Sequence, residues 1–298
     1  MATRELTPAT DGAAEIEGIT GSRRADFRAW ARNRRALAGG GVIVALALFC
    51  FVGPLVYHTN QVKVNLNNSS LPPGPGGPLG TNDDGFDILG RLMIGGQSSL
   101  ELGFAVSIAS TLVGTLYGVI AGWAGGIVDM IMMRVIDTFL SLPTLVLLLL
   151  LVTIFTPNLL MIIALLTVLS WLGTARLVRG EILSLRTREY VQAAKTLGSG
   201  HWRIMLRHLV PNAFGVIVVS ATFTIADSIL MLSALSFLGL GLPPPAADWG
   251  SMLTDGLNYL FDGYWWMVYP PAVILVITLI AFNLIGEAAR ENLDTRLR

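Results

Sequence analysis

The stretch GEILSLRTREYVQAAKTLGSGHWRIMLRHLVP, Gly180 to Pro211, is the longest polar segment between the apolar runs of the second half of the chain. A few residues suffice to join two membrane helices, yet this connection is about thirty residues long. It carries Arg186, Arg188, Lys195, Arg203 and Arg207, with Arg176 and Arg179 just before it. Its opening is helix-compatible and its centre is small: Ala193, Ala194 and then Gly198. Such a segment reads as a docking element held at one membrane surface, with the rest of the chain as what it drives.

That reading needs a membrane, and composition supplies one. Hydrophobic residues make up 53% of the 298 residues and mean hydropathy is +0.64. Charged residues reach only 13%, against about 25% in an average soluble domain. The apolar residues gather into runs near the ~18–20 residues that cross a bilayer as a helix. Spans are expected over 36–57, 99–122, 138–155, 159–177, 213–235 and 269–285. The first follows about 35 polar residues without a clear small-residue cleavage site, so it is expected to remain as an anchor. Cys50, the single cysteine, excludes an internal disulfide.

A net charge of zero hides an asymmetry. Every Lys and Arg except Lys63 and Arg91 falls in the two termini, the second-to-third connection, or the opening stretch and its approach. Positive residues stay on the cytoplasmic side, so both termini and 180–211 are expected there. The N-terminal patch of Arg23, Arg24, Arg28, Arg32, Arg34 and Arg35 serves as a retention signal beside a span, and Phe27 and Trp30 suit an interfacial position among membrane lipids. The outward loops are acidic. One holds Asp83, Asp84 and Asp87 after the Pro-rich LPPGPGGPLG; the other holds Asp248, Asp255 and Asp262. Tyr259, Phe261, Tyr264, Trp265, Trp266 and Tyr269 fit an outer aromatic belt.

The chain divides into a polar tail (1–35), a first span (36–57), an exported loop (58–96), a five-helix core (97–290, containing 180–211) and a charged end (291–298). Within the core, Gly114, Gly118 and Gly122 recur every four residues and place one helix face where another helix can approach. Arg134 and Asp137, three apart, are placed to pair on one face. Glu101 stands at the start of the second span. Asp227 is the ionisable residue that stands out inside a span, where a carboxylate is costly and faces a cavity or a partner. Ser220, Thr224, Asp227 and Ser228 share a face at spacings of three and four. The stripe reads either as a translocation path or as a helix–helix hydrogen-bond seam.

No catalytic constellation emerges. His58, His201 and His208 lack ligand spacing, so no metal site is expected. Neither Lys63 nor Lys195 follows a glycine as a phosphate-binding loop requires. Active transport would take its energy from another chain. A secondary transporter or channel working alone would call for intramembrane acids in series or broken helices in repeated halves. A membrane scaffold is a further alternative. Nothing suggests a nucleic-acid partner.

The segment EYVQAAKTLGSGHWRIMLRHLVPN resembles the signature of ABC-importer permeases: Glu-Ala-Ala, three residues, Gly, nine residues, Ile, any residue, Leu-Pro. Gln192, Ala193 and Ala194 take the first part, Gly198 the glycine, and His208 to Pro211 the end. Gln192, His208 and Val210 depart from Glu, Ile and Leu, with the spacing intact. LGTNDDGFDILGRLMIGGQSSL, SALSFLGLGLPPPAADWGSML and FNLIGEAARENLDTRLR are similar to the C-type subunits of dipeptide and oligopeptide importers. Phe86 and Thr295 stand where Arg and Pro are usual.

The resemblance implies an all-α, MetI-like type I importer permease with six transmembrane helices, in the cytoplasmic membrane of a prokaryote. It implies a second homologous permease, two cytoplasmic ATPases that bind ATP and Mg, and an extracytoplasmic substrate-binding protein; this chain needs no cofactor. Arg188, Glu189, Gln192, Ala193, Ala194, Gly198, His208 and Pro211 would form the ATPase-coupling element. Short peptides are the implied cargo, with nickel chelates or another peptide-sized cargo as the alternative.

Overall fold

A computed structural model describes residues 34–155 and 157–294. The remaining positions of the N-terminal arginine patch, together with Phe27, Trp30 and Thr295, lie outside the described residues.

The described residues contain five continuous helices long and apolar enough to cross a membrane, and a sixth candidate that is bent. They are α1 (Arg34–Val56), α2 (Ile88–Ala124), the bent pair α3 (Gly126–Leu140) and α4 (Thr144–Ile154), α5 (Leu159–Leu185), α7 (His201–Phe237) and α9 (Tyr269–Asp294). Two short helices complete the set: α6 (Glu189–Thr196) between α5 and α7, and α8 (Trp249–Leu257) between α7 and α9.

The bent pair corrects the third expected span. Residues 138–155 do not form one helix: α3 and α4 meet at 78°. Pro143 precedes α4, where proline lacks the amide hydrogen that a continuous helix would need. Arg134 does not pair with Asp137 either. Arg176 of α5 takes that carboxylate, Nη2 to Oδ1 at 2.5 Å. An ion pair between helices has displaced the local one.

The second span starts far earlier than apolarity suggests. Asp87 caps α2 by accepting from the Gly90 amide at 2.8 Å. From there 37 residues run unbroken, a rod of roughly 55 Å at 1.5 Å per residue. The hydrocarbon core is about 30 Å, so an upright helix of this length extends beyond it. Its first turns read ILGRLMIGGQSS, in which Arg91, the glycines, Gln97 and the serines interrupt the apolar residues and lower the hydropathy. Glu101 is consequently well inside this helix rather than at its start.

Packing runs α5–α2–α7–α9–α1, with α2 against both α5 and α7. Lipid tails are as apolar as leucine, so helices associate in a bilayer by close approach and hydrogen bonds. Gly114, Gly118 and Gly122 provide that approach on α2. A Cβ at Gly114 would stand 2.7 Å from the Trp171 carbonyl oxygen; at Gly118, 2.5 Å from that of Ala175; at Gly122, 2.9 Å from Ile182 Cβ. On the other side of α2, Ile108, Leu112 and Leu116 are exposed at every fourth position.

The loop after α7 is not a simple exported strand of polar chain. Asp248, fully buried, caps α8 through the Gly250 and Ser251 amides at 2.8 and 3.1 Å, and accepts from Ser236 Oγ at 2.9 Å. Trp249 is buried and donates its indole N–H to the Leu92 carbonyl at 3.1 Å. This folds α8 into the bundle against α2 and α7. Trp266 of the aromatic cluster is also buried, donating to the Thr81 carbonyl at 3.2 Å, whereas Phe261, Trp265 and Tyr269 remain exposed.

Candidate functional site

The segment 180–211 is almost wholly helical. α5 continues to Leu185, beyond the expected end of its span. A tight turn through Arg186–Arg188 leads into α6, whose N-cap is Arg188 and whose first turn carries Glu189. Glu189 opposes the positive end of the helix dipole and Lys195 the negative end. α6 is followed by Gly198 with φ of +76°, a left-handed conformation that only glycine adopts without steric cost. The chain then turns into α7, which begins at His201 and passes His208 and Pro211 without a break, through one widened turn at Met205–Leu209.

α6 is held against the bundle from one side. Val191 is fully buried in a cluster with Val119 of α2, Val178, Ile182 and Leu185 of α5, and Ile204, Met205 and Leu209 of α7. Ala194, one turn on, packs partly against the same cluster. Ala193 and Gln192 are exposed instead. Only the first of the two alanines is therefore open to a partner.

Polar contacts bind the same element to the ends of α2 and α5. Arg186 Nη1 donates to the Gly122 carbonyl at 3.0 Å, and the Gln192 amide donates to the Arg186 carbonyl at 2.9 Å. Lys195 Nζ lies 4.4 Å from the centre of the Trp123 ring, a cation–π contact, and His201 meets that ring edge-on. Tyr190 approaches the His208 ring at 6.3 Å. Arg186 and Lys195 are thus engaged within the chain, leaving Arg188 as the exposed cation at the start of α6. Beside these, Arg179 makes a two-pronged ion pair with buried Asp129 at 2.5 and 2.6 Å, tying α3 to α5. Among the polar residues exposed around α6, four large apolar side chains are exposed too: Tyr190, Leu197, Trp202 and Leu206.

Between α5, α7 and α9 lies a cavity of about 520 Å³. Asp227, Ser220 and Thr224 line it together with Ser170, Thr174 and Glu181 of α5 and Arg290 of α9. Ser228 does not: it is buried, and its hydroxyl has no partner among the described residues. The four-residue stripe therefore divides. The Ser220 and Thr174 hydroxyls are 2.8 Å apart across α7 and α5, a seam contact, while Asp227 is exposed to the cavity. Trp123, Thr174, Glu181 and Arg290 were not singled out by sequence. Thr174 and Ser170, four apart in an apolar run, carried a signal; the other three acquire meaning only from what they face.

The chain has counterparts among known proteins. A family model described as "Binding-protein-dependent transport system inner membrane component" matches residues 114–298. The chain belongs to this family. A second model, "N-terminal TM domain of oligopeptide transport permease C", matches residues 23–73. The chain is 39% identical over 273 residues to the dipeptide transport system permease protein DppC of Bacillus subtilis (strain 168), covering 91% of this chain and 85% of that protein. It is 40% identical over 273 residues to the oligopeptide transport system permease protein OppC of Escherichia coli (strain K12), covering 91% and 90%. Among solved structures, the inward-facing MetNI methionine ABC transporter matches with a TM-score of 0.56 and 22% identity, covering 68% of this chain and 96% of that one. That likeness establishes the MetI-like fold. As an inner-membrane transport component, the permease is a multi-pass membrane protein, and the reading as a stand-alone secondary transporter or channel is set aside.

Proposed function

We propose that this permease is a membrane subunit of an ATP-driven importer that moves short peptides into the cell by alternating access. The surface of α6 carries the proposal. A helix of eight residues is fastened to the ends of α2, α5 and α7, yet leaves Ala193 exposed, with Leu197 just beyond it and Trp202 and Leu206 at the start of α7 exposed as well. An exposed apolar patch on a polar loop calls for a protein partner. Two cytoplasmic ATPases, holding ATP and Mg, would be that partner for the two permeases of a pair. A substrate-binding protein would deliver cargo from the other side. Arg188, Glu189, Gln192, Ala193, Ala194, Gly198, His208 and Pro211 form or flank the coupling element in this reading, and the basic bias of 180–211 and the termini supports a cytoplasmic position for them.

The mechanism follows from stiffness. Movement of the ATPases would be transmitted through α6 to α2 by Lys195–Trp123 and Arg186–Gly122, and directly to α5 and α7 by chain continuity. The cavity lined by Asp227, Thr224 and Ser220 would then open to alternate sides. This chain contributes the path and the lever and leaves nucleotide hydrolysis to its partners. Peptide cargo rests on the dipeptide and oligopeptide permeases it resembles in sequence.

Copurification with a second permease and ATPases, followed by peptide uptake in proteoliposomes, tests the assignment. Ala193→Arg should assemble in the membrane and abolish ATP-driven uptake. Full uptake by that variant would refute α6 as the docking element.

A further inference from the structure

The cavity between α5, α7 and α9 contains three charged side chains, Asp227, Glu181 and Arg290. None of the ion pairs or side-chain hydrogen bonds among the described residues includes the Asp227 carboxylate, and Arg290 does not neutralise it. Asp227 lies ten residues before the end of α7, about 15 Å along the helix from it. A carboxylate so placed in a span is costly without a partner.

We propose that Asp227 is the recognition point for the α-ammonium group of the transported peptide. This rests on the peptide-importer reading above and extends it to a named chemical group. An ammonium brings three donors and no acceptor, so its site must be composed of acceptors. Thr224 is three residues from Asp227 on the same helix and lines the same cavity. Its hydroxyl donates to the Ser220 carbonyl at 2.8 Å, which leaves the oxygen as an acceptor. Ser170 of α5 lies on the opposite wall.

The remaining lining fits what every peptide shares and ignores what differs. Leu177, Val216, Val219 and Phe223 offer apolar wall to side chains without selecting one. The lining runs from Asp227 back to Val216 on α7 and from Ser170 to Glu181 on α5. Either stretch is roughly 16 Å long, the length of an extended chain of about four to five residues. The cavity also falls within the roughly 300–1,000 Å³ typical of ligand clefts. It has no His or Cys in its lining, so it does not suit a soft or transition-metal ion, whereas the Asp227 carboxylate with hydroxyls beside it suits an organic ammonium.

The test uses the whole complex in proteoliposomes, with trialanine and N-acetyl-trialanine supplied at equal occupancy of the binding protein. Asp227→Asn should lower trialanine uptake about tenfold, the worth of one charge-assisted hydrogen bond, and leave N-acetyl-trialanine uptake unchanged. Asp227→Glu should recover most of the trialanine rate. Equal losses for both peptides would overturn the proposal and make Asp227 part of the conformational change. Loss of assembly in both variants would overturn it in favour of a seam with the second permease. A wild-type complex that assembles but moves neither peptide would overturn the peptide-importer reading, and the subsite with it.

Discussion

The Gln192 side chain donates its amide N–H to the backbone carbonyl of Arg186 at 2.9 Å, closing the turn between α5 and α6. Arg186 is the C-cap of α5, where carbonyls lack helical partners. A glutamate, usual at this position in the resembled signature, is acceptor-only when ionised and cannot make this bond. The departure at Gln192 thus has a local use: it fastens α6 to α5 from within the chain.

Gln192→Glu should therefore loosen the lever rather than unfold the protein. The lost bond is worth about 1 kcal/mol. The expected result is normal membrane levels with ATP hydrolysis retained and uptake per ATP reduced several-fold, read by parallel hydrolysis and uptake assays. Unchanged stoichiometry would show that this bond plays no part in coupling.

Gly118→Ala should destabilise the α2–α5 seam. The new Cβ would meet the Ala175 carbonyl oxygen at 2.5 Å, a backbone atom that cannot swing aside as a side chain can. Overpacking of this kind costs about 1–3 kcal/mol, visible as a lower Tm in detergent. Gly173→Ala, where a Cβ meets nothing within 4 Å, should leave Tm unchanged.

Asp248→Ala should be among the most damaging single changes outside the spans. It removes the cap of α8 and leaves Ser236 without its buried acceptor. Together these cost about 2–4 kcal/mol. Asp248→Asn retains an acceptor oxygen and should lose less; thermal unfolding of the two variants separates the effects.

Asp255 gives a pH dependence of definite sign. Burial first, then the nearby Asp83 carboxylate, raises its pKa to about 6, while Arg91 opposes the rise. The folded state therefore keeps a proton that the unfolded chain releases near pH 4. Stability contributed by this group is present at low pH and lost as pH rises through 6. Asp255→Asn should flatten the decline in Tm between pH 4 and 6 and raise Tm at pH 7.5 relative to wild type. A steeper decline would contradict the assignment.

Much of this protein follows from its sequence. Apolar runs near bilayer length require membrane helices because the backbone cannot be left unpaired in lipid. Small residues at Gly114 and Gly118 mark close approaches, because the absence of side-chain bulk is itself a local property. Tertiary structure decided the rest. Hydropathy cannot tell a broken span from a straight one, so the 78° bend between α3 and α4 escaped it, as did the helical turns that begin at Ile88. Partner choice was equally hidden: Asp137 lies three residues from Arg134 but binds Arg176, because ion pairs form according to distance in space. In the stretch from Gly180 to Pro211, sequence supplied a basic loop with a small centre. Only the fold turned Val191 and Ala194 inward and Ala193 outward, since the face a helix buries is fixed by what packs against it.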